Sequence, residues 1–512
     1  MSEIGLNLIH RFNVADALKR SAARNPNASA IHFMGRDLTY AEFDALTNKV
    51  ARLLIQNGIG RGDAVAIFAM NSPEYAAAFF ACARIGAMLV PINLMFTAED
   101  ADYVLEKTRA KALLIEPEFI NKVNRPPAVR FVMDEAFRTE LNTYSGSAVE
   151  KFVANEDPNI IIFTSGTTAR PKGVVLNHLN WYAYLLASYS DYGLDRTLKY
   201  LLALPMFHVA GLVMTFSCFA SGCEGVIIPL PRPEPILDAI AQQKVNTIAL
   251  PATVWVGLIQ TPAIDSADLS SLQRLFVFQY LPTPVFQRWR QLVPHAQWVN
   301  AWGQTETTAL GSSTPSAELG HMLAAPDPIG IEHLPLELRI VDAQMNDVPS
   351  SSPGEIVLRG PSITPGYFED PEANEALFEG GWHHTGDIAY RDASGCLYFL
   401  DRKKDMIKSG GENVASQEVE EAIAQHPGVG EVAVIGLPDP YWIEKVVACV
   451  VPFAGAHIDE EELLAHARSR LASFKVPKQI VILEDFPKNP SGKILKRVLR
   501  QRLGDAAAGA AG

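Results

Sequence analysis

Cysteine is scarce in this sequence, and its placement argues against two kinds of site. Five cysteines occur among 512 residues, an odd number, and no two of them form a CxxC pair. No histidines cluster with them at the spacing of metal ligands. The pattern therefore disfavours a disulfide framework and a zinc site, and it predicts free thiols in a reducing compartment. The five residues are Cys82, Cys218, Cys223, Cys396 and Cys449.

Long apolar runs are also lacking. The most apolar stretch, residues 76–95, contains Arg84 and Pro91 and is too interrupted to span a bilayer. The opening residues, MSEIGLNLIHRFNV, show no basic start followed by an apolar core, so no signal peptide is expected. These two absences predict a soluble cytoplasmic protein without an integral membrane partner.

Positive charge is in deficit. The chain has 44 Lys and Arg against 57 Asp and Glu, a formal net charge of -13, and its pI is near 5.5. A nucleic acid or an anionic membrane would be repelled by the average surface of such a protein, so neither is an expected partner. Any phosphate-bearing ligand must be bound by a local site.

Hydrophobic residues make up 48% of the chain, which predicts large cores and two or more domains. Through residue 330, short β-branched runs alternate with longer helical patterns, which indicates mainly parallel α/β sheet. Residues 336–400 contain short strands between Pro, Gly and Asp turns, which indicates a small β-rich subdomain. After the charged run 401–405 the pattern restarts as a compact α+β unit. The predicted fold class is therefore α/β, with domains at 1–400 and 401–512.

Segment 163–173, FTSGTTARPKG, carries the strongest local signal for a ligand site. Four hydroxyl side chains, two glycines and Lys172 follow an apolar strand, so the loop has donors and charge to wrap a polyphosphate. Its spacing differs from GxxxxGK[ST], which disfavours a P-loop NTPase. On composition alone, an ordinary Ser/Thr/Gly connection is the better explanation of the segment.

Each of five further segments, taken alone, has an ordinary structural explanation. Segment 204–211 (LPMFHVAG) is explained by a core histidine, and segment 300–307 (NAWGQTET) is explained by a surface glutamate. Segment 381–387 (GWHHTGD) is explained by a Gly-Asp turn. A solvated linker would explain 401–413 (DRKKDMIKSGGEN), and exposed lysines would explain 487–496 (PKNPSGKILK).

Taken together and in this order, the six segments resemble the motifs of the adenylate-forming superfamily, in particular its acyl-CoA synthetase branch. The resemblance extends from about Asp16 to Arg500. Two positions depart from the family pattern: Ala169 replaces a glycine in the phosphate loop, and Trp302 replaces a tyrosine. An alanine makes the loop somewhat stiffer.

The resemblance implies a role for each motif. It implies that Glu306 holds Mg²⁺ together with Thr168, that Lys493 is the catalytic lysine, and that Lys404 is the hinge about which a mobile C-terminal domain swings. Catalytic roles would fall to Lys493, His208, Thr305 and Glu306. ATP would be bound by Thr164, Ser165, Gly166, Thr167, Thr168, Lys172, Gln279, Tyr280, Trp302, Gly303, Asp387, Arg402 and Lys493. Coenzyme A would contact Lys408, Ser409, Gly410 and Gly411.

The acyl pocket implied by the resemblance comprises His208, Val209, Gln279, Tyr280 and Leu281. The family usually has small residues where this chain has the last three. Bulk at these positions shortens the pocket or adds a polar contact, so the sequence predicts a short, polar or aryl acid rather than a long fatty acid.

The implied reaction joins a carboxylic acid to coenzyme A at the expense of ATP, through an acyl-adenylate, with Mg²⁺ as cofactor. Three alternatives remain open from the sequence: a free-standing ligase that loads a carrier-protein pantetheine, a luciferase-type oxidation, and a non-catalytic nucleotide-binding homologue. The protein is expected to be a monomer or a homodimer.

Overall fold

The computed structural model describes most of the residues of the chain. They are 3–164, 170–278, 281, 283–314, 328–410, 412–453, 455–488 and 494–510. Eight predicted site residues lie outside the described residues, namely Ser165, Gly166, Thr167, Thr168, Gln279, Tyr280, Gly411 and Lys493.

The first sheet has seven strands in the order β18-β8-β7-β4-β3-β5-β6. The five strands from β7 to β6 run parallel, β8 is antiparallel to β7, and β18 is antiparallel to β8. The strands are β3 (Ala64–Phe68), β4 (Met88–Pro91), β5 (Ala112–Ile115), β6 (Val129–Val132), β7 (Pro158–Thr164), β8 (Lys172–Asn177) and β18 (Gly366–Tyr367).

The second sheet has thirteen strands in the order β16-β17-β19-β20-β15-β14-β13-β12-β11-β9-β10-β1-β2. Its strands from β13 to β1 are parallel. They are β1 (Ser29–Phe33), β2 (Arg36–Thr39), β9 (Lys199–Leu202), β10 (Glu224–Ile227), β11 (Thr247–Leu250), β12 (Arg274–Val277), β13 (Gln297–Gly303), β14 (Gly311–Ser313), β15 (Pro328–Glu332), β16 (Glu337–Val341), β17 (Gly354–Arg359), β19 (His383–Arg391) and β20 (Leu397–Arg402).

The predicted β-rich subdomain is the antiparallel end of this second sheet. Strands β14 to β17, β19 and β20 continue the hydrogen-bonded ladder beyond β13 rather than forming a sheet of their own. They nevertheless have a separate core, which includes Ile356, Leu358 and Leu397 and extends to Trp302. The α/β class is confirmed, and the ladder carries residues of segments 300–307 and 381–387 on one continuous sheet.

The third sheet follows Arg402 in the chain and has five strands. Its order is β22-β21-β24-β23, with β25 paired to β24, and the strands are β21 (Ile407–Ser409), β22 (Glu412–Val414), β23 (Val429–Asp439), β24 (Ile443–Pro452) and β25 (Gln479–Ile482). Two apolar cores border it, and every residue of both lies at position 407 or later. The described C-terminal unit therefore has cores of its own.

Helices cover the sheets, and several begin with side-chain caps that the sequence supplies. Thr39 with Glu42 and Thr97 with Asp100 form capping boxes at the starts of two of them. The helices are α1 (Glu3–His10), α2 (Val14–Arg24), α3 (Tyr40–Gln56), α4 (Pro73–Ile85), α5 (Ala98–Lys107), α6 (Glu135–Leu141), α7 (His178–Asp191), α8 (Val209–Ser221), α9 (Pro233–Gln243), α10 (Ala252–Gln260), α11 (Thr283–Leu292), α12 (Pro371–Leu377), α13 (Ser416–Ala424), α14 (Glu460–Arg468) and α15 (Lys496–Ala510).

The apolar stretch 76–95 forms part of the main core. Every residue of α4 is buried, and so is every residue of β4. The guanidinium of Arg84 in α4 has a partner in this core, because it forms a 2.7 Å salt bridge to Asp44. Across the described residues, no helix combines the length and the hydropathy that crossing a membrane requires. All five cysteines are free.

Candidate active site

The predicted phosphate loop connects two strands of the first sheet. Thr164 at the end of β7 pairs with Lys172 at the start of β8, so the two strands form an antiparallel hairpin. Residues 165–169 between them lie outside the description. The Lys172 ammonium lies 5.0 Å from the centroid of the Tyr367 ring.

Glu306 faces the same tyrosine from the second sheet. It follows β13, and its Oε1 atom accepts a 2.9 Å hydrogen bond from the Tyr367 hydroxyl. Its backbone carbonyl accepts a 2.7 Å bond from the Thr364 amide. Among the described residues, no donor other than Tyr367 is bound to this carboxylate. An oriented carboxylate with a second oxygen to spare fits a hard cation such as Mg²⁺.

Asp387 is the most densely connected of the predicted site residues. It is buried on β19, and its Oδ2 atom accepts hydrogen bonds from Trp302 Nε1 at 3.1 Å and Gln304 Nε2 at 2.8 Å. The Arg402 guanidinium lies 3.6 Å from Oδ1, because Asp387 and Arg402 are direct partners in the β19–β20 ladder. Three residues from segments 300–307 and 401–413 thus converge on one carboxylate of segment 381–387.

Trp302 has a structural role in addition to any contact with a nucleotide. Its ring belongs to the core of the antiparallel strands, and it is 9% exposed. One ring face lies against Gly311, where an added Cβ would be only 2.3 Å from the ring. Any adenine would therefore have to meet the ring away from Gly311.

His208 is the cap residue of α8, and its ring is kept neutral by its surroundings. Burial lowers the pKa of His208 to about 4, and its buried Nε2 atom has no hydrogen-bond partner within the described residues. The Phe207 ring lies 4.6 Å away, centroid to centroid. A buried, unpaired ring nitrogen is costly unless a ligand meets it, which fits a position beside a substrate.

Asn71 holds the His208 loop in place, and sequence reasoning missed it. Its side chain donates to the Leu204 carbonyl at 2.9 Å and accepts from the Met206 amide at 2.7 Å. It is buried at the carboxyl end of β3, more than 130 residues away in the chain from the loop it binds. No local pattern marks such a residue.

Of the five residues of the predicted acyl pocket, the structure describes His208, Val209 and Leu281. Val209 is buried as the first residue of α8, next to His208. Leu281 is buried within a different apolar core, together with Trp255 and Trp298. The roles of both in an acyl pocket stay predictions.

The segment around Lys404 is tied to the second sheet on its amino-terminal side. Glu355 of β17 accepts hydrogen bonds from Lys403 Nζ at 3.0 Å and from the Gly386 amide at 3.1 Å. Lys404 itself is exposed. The chain next to Asp387 and the chain next to Lys404 therefore share one carboxylate anchor.

Lys408 and Ser409 lie on β21, one strand of the β21–β22 hairpin in the C-terminal unit, and Gly410 follows them. Gly410 has a φ of +62° and donates its amide to the Trp442 carbonyl at 2.8 Å. A Cβ on Gly410 would lie 3.1 Å from the Trp442 ring, which also carries Lys478 Nζ at 4.7 Å from its centroid. The backbone of Gly410 therefore lies beside the Trp442 ring, and the Lys478 ammonium group lies over the same ring.

Lys496, three residues after Lys493, is an anchor rather than the exposed lysine expected from the sequence. Its Nζ atom forms a 2.7 Å salt bridge to Glu420 and donates to Ser416 Oγ at 2.5 Å. Asp401 lies in the same cluster, where it accepts the Ser416 amide at 2.6 Å. The start of α15 is thereby bound to α13 and, through Ser416, to the end of β20.

Comparison with known proteins decides the family. Residues 18–368 match the AMP-binding enzyme family, and residues 418–493 match the AMP-binding enzyme C-terminal domain. The chain belongs to this family. The family that the resemblance predicted is thereby confirmed.

Several relatives of this AMP-binding enzyme are named as CoA synthases or CoA ligases. It is 35% identical to feruloyl-CoA synthase of Amycolatopsis over 95% of the chain and 98% of that protein. It is 33% identical to indoleacetate–CoA ligase of Aromatoleum aromaticum, over 95% and 98% respectively. The solved anthranilate CoA ligase AuaEII, in complex with anthranoyl-AMP, superposes with a TM-score of 0.89 at 25% identity, over 97% of this chain and 98% of that one. This AMP-binding enzyme is an AMP-forming acid–CoA ligase that acts through an acyl-adenylate.

Proposed function

We propose that this ligase activates an aryl carboxylic acid and transfers the acyl group to coenzyme A. The overall reaction consumes the acid, ATP and the thiol, and it releases the aryl-CoA thioester, AMP and pyrophosphate. The observation that carries the proposal is the convergence of Trp302, Gln304 and Arg402 on Asp387, with Glu306 and Lys172 meeting at Tyr367. The first group suits a ribose, and the second suits a triphosphate.

ATP would be bound by one set of groups at its nucleoside end and by another set at its phosphate end. Asp387 Oδ1 and the Arg402 guanidinium would bind the ribose hydroxyls, with Trp302 and Gly303 beside the adenine. At the other end, Lys172 and the hydroxyl loop from Thr164 to Thr168 would bind the phosphates, and Thr305 would contact the α-phosphate. Gln279 and Tyr280 would complete the nucleotide pocket.

In the first half-reaction the substrate carboxylate attacks the α-phosphorus of ATP. The new C–O–P link forms the acyl-adenylate while the bond to the β-phosphate oxygen breaks and pyrophosphate leaves with the electron pair. Lys172 and Lys493 would stabilise the charge that develops on the phosphate oxygens. Mg²⁺ held by Glu306, with Thr168, would neutralise further phosphate charge. Neutral His208 would donate a hydrogen bond from Nε2 to the carboxylate.

In the second half-reaction a thiol attacks the acyl carbon and AMP leaves. We propose that domains 1–400 and 401–512 reorient about Lys404 between the steps, which removes Lys493 and brings Lys408, Ser409, Gly410 and Gly411 to the adenylate. The separate cores of the C-terminal unit support such a rigid-body motion. Gly410, whose backbone lies close to the Trp442 ring because it lacks a Cβ, would offer that backbone to a narrow pantetheine arm.

An aryl acid is the substrate class that we infer. Feruloyl-CoA synthase, indoleacetate–CoA ligase and the anthranilate ligase are all named for acids with aromatic rings. Bulky residues at Gln279, Tyr280 and Leu281 favour a short, flat acyl group over an extended chain. Val209 and His208 would border the ring on the other side.

A panel of acids tests the substrate class. Purified protein is incubated with ATP, Mg²⁺, coenzyme A and one acid at a time, and AMP formation is measured. Aryl acids such as ferulate, indoleacetate and anthranilate should give a kcat/KM about tenfold or more above hexadecanoate, since a short pocket cannot bury the additional CH₂ groups. Preference for hexadecanoate would contradict the aryl proposal, and transfer only to a carrier protein would contradict coenzyme A as acceptor.

The site of action would be the cytoplasm. Five free cysteines and a net charge of -13 support a reducing compartment and argue against binding to anionic membranes. Assembly as a monomer or a homodimer stays a prediction.

A further inference from the structure

Tyr367 joins two site residues that come from different sheets. Its hydroxyl donates to Glu306 Oε1 at 2.9 Å, and the face of its ring carries Lys172 Nζ at 5.0 Å from the centroid. Glu306 belongs to the loop after β13, whereas Lys172 begins β8. One half-buried side chain therefore contacts both an anionic and a cationic residue of the proposed triphosphate site.

The backbone of Tyr367 is held rigidly. Strand β18 pairs with β8, with Tyr367 opposite Val174, which fixes the tyrosine relative to Lys172. The Asn374 side chain of α12 accepts the Tyr367 amide at 2.6 Å and donates to its carbonyl at 3.0 Å. Gly366 permits this approach, because its φ is +139° and a Cβ there would lie 2.7 Å from Asn374 Oδ1. The ring is thus placed before any ligand arrives.

Lys172 and Glu306 carry opposite charges and would attract one another without a barrier between them. An ion pair between them would consume the lysine that should bind phosphate and the carboxylate that should bind metal. Within the part of the chain that the structure describes, neither residue forms a salt bridge. Each is instead held by Tyr367, the cation on the ring face and the anion at the hydroxyl.

We propose that Tyr367 is a positioning residue for Mg·ATP, which orients Glu306 and keeps it apart from Lys172. Its hydroxyl occupies Oε1 of Glu306, so Oε2 remains for the metal, and its ring directs the Lys172 ammonium towards the phosphates. This inference rests on the proposed function, because it takes Glu306 as the metal ligand and Lys172 as a phosphate ligand.

Tyr367→Phe tests the hydroxyl while it keeps the ring. The Mg²⁺ concentration for half-maximal ATP–pyrophosphate exchange should rise about tenfold, the value of a typical hydrogen bond to a charged group. Thiolysis of supplied acyl-adenylate by coenzyme A, which involves no pyrophosphate, should change by less than about twofold. Mn²⁺ binding in the presence of a non-hydrolysable ATP analogue, followed by electron paramagnetic resonance, should weaken by a similar factor of about ten.

Two further variants separate the roles of hydroxyl and ring. Tyr367→Leu removes both, so Lys172 can reach Glu306, and KM for ATP should rise above that of Tyr367→Phe. Tyr398→Phe is the matched control, because the Tyr398 hydroxyl also donates to a carboxylate, that of Asp392 at 3.2 Å, in a turn apart from these residues. It should leave the metal requirement unchanged.

Unaltered Mn²⁺ affinity in Tyr367→Phe would overturn the proposal. Equal losses in both half-reactions with a lowered Tm would also overturn it, since they indicate a structural role only. A wild-type protein that releases pyrophosphate without any divalent cation would instead remove the metal role of Glu306, and that result is visible before any variant is made.

Discussion

At the scale of single residues, hydrogen bonds restrict the conformations of the polar side chains of the candidate site. Asp387 receives two hydrogen bonds on one oxygen while Arg402 lies by the other. A carboxylate so held is already oriented when a ligand arrives, so little conformational entropy is lost on binding. This arrangement also explains why Trp302 suits the position, because its indole N–H reaches the carboxylate directly.

Asp387→Asn should impair ATP binding selectively. An amide carries no charge and offers one acceptor instead of two, so KM for ATP should rise about tenfold or more, with KM for the acid altered little. Steady-state kinetics with ATP and acid varied separately measure this split. Asp392→Asn makes the same chemical change in the turn between β19 and β20, where, among the residues described, the carboxylate binds only its own loop and Tyr398. An equal rise of KM for ATP in both variants would contradict the role of Asp387.

At the scale of elements, close backbone contacts decide where site residues lie. Gly211, in the first turn of α8, faces the backbone of segment 204–205, where an added Cβ would lie 2.2 Å from the Pro205 carbonyl oxygen. The loop before α8 therefore folds back against its own helix. This contact and the bonds from Asn71 together place His208.

Gly211→Ala should displace this loop and His208 with it. No flexible side chain can yield, because the clash is with backbone, so the variant should lose about 1–3 kcal/mol of stability and much of its kcat/KM for the acid. Gly257→Ala in α10 is the matched control, since nothing lies within 4 Å of the added Cβ. The control should gain about 0.4–1 kcal/mol, because alanine restricts the unfolded chain. Thermal denaturation and steady-state kinetics of both variants compare the effects, and wild-type behaviour of Gly211→Ala would contradict this account.

At the scale of the whole molecule, buried histidines link folding to pH. Burial lowers the pKa of His178, His208, His333 and His383 from 6.5 to about 4 in each case. The unfolded chain binds a proton at each histidine below pH 6.5, whereas the folded chain does so only near pH 4. Their contribution to stability is therefore fully present above pH 6.5 and is lost as the pH falls towards 4.

The Tm should accordingly fall between pH 6.5 and pH 4.5, and each histidine should contribute up to about 1.4 kcal/mol per pH unit. Scanning calorimetry at a series of pH values measures the slope. His178→Asn should reduce it, and His457→Asn, at an exposed position, should leave it unchanged. A Tm that stays constant over this interval would refute the linkage.

The α/β class and the acid–CoA ligase family were predictable from sequence, the family because six contiguous segments in order resemble its motifs. Short strands were predicted through residue 330 and over residues 336–400, and Ala112–Ile115 and Glu337–Val341 are examples of them, since their apolar patterns are local. Tyr367, Asn71 and Gln304 were not identified as site residues. Each contacts a partner more than 60 residues away, so no local pattern reveals it.

The order of residues along the chain thus determined which chemical groups are present and which loops carry them. The tertiary structure alone decided which groups meet: that Asp387 is shared by three motifs, that Lys496 is an anchor, and that Tyr367 lies between Lys172 and Glu306. The physical reason is that hydrogen bonds and charge interactions act over a few ångströms of space, and distance along the chain does not enter them.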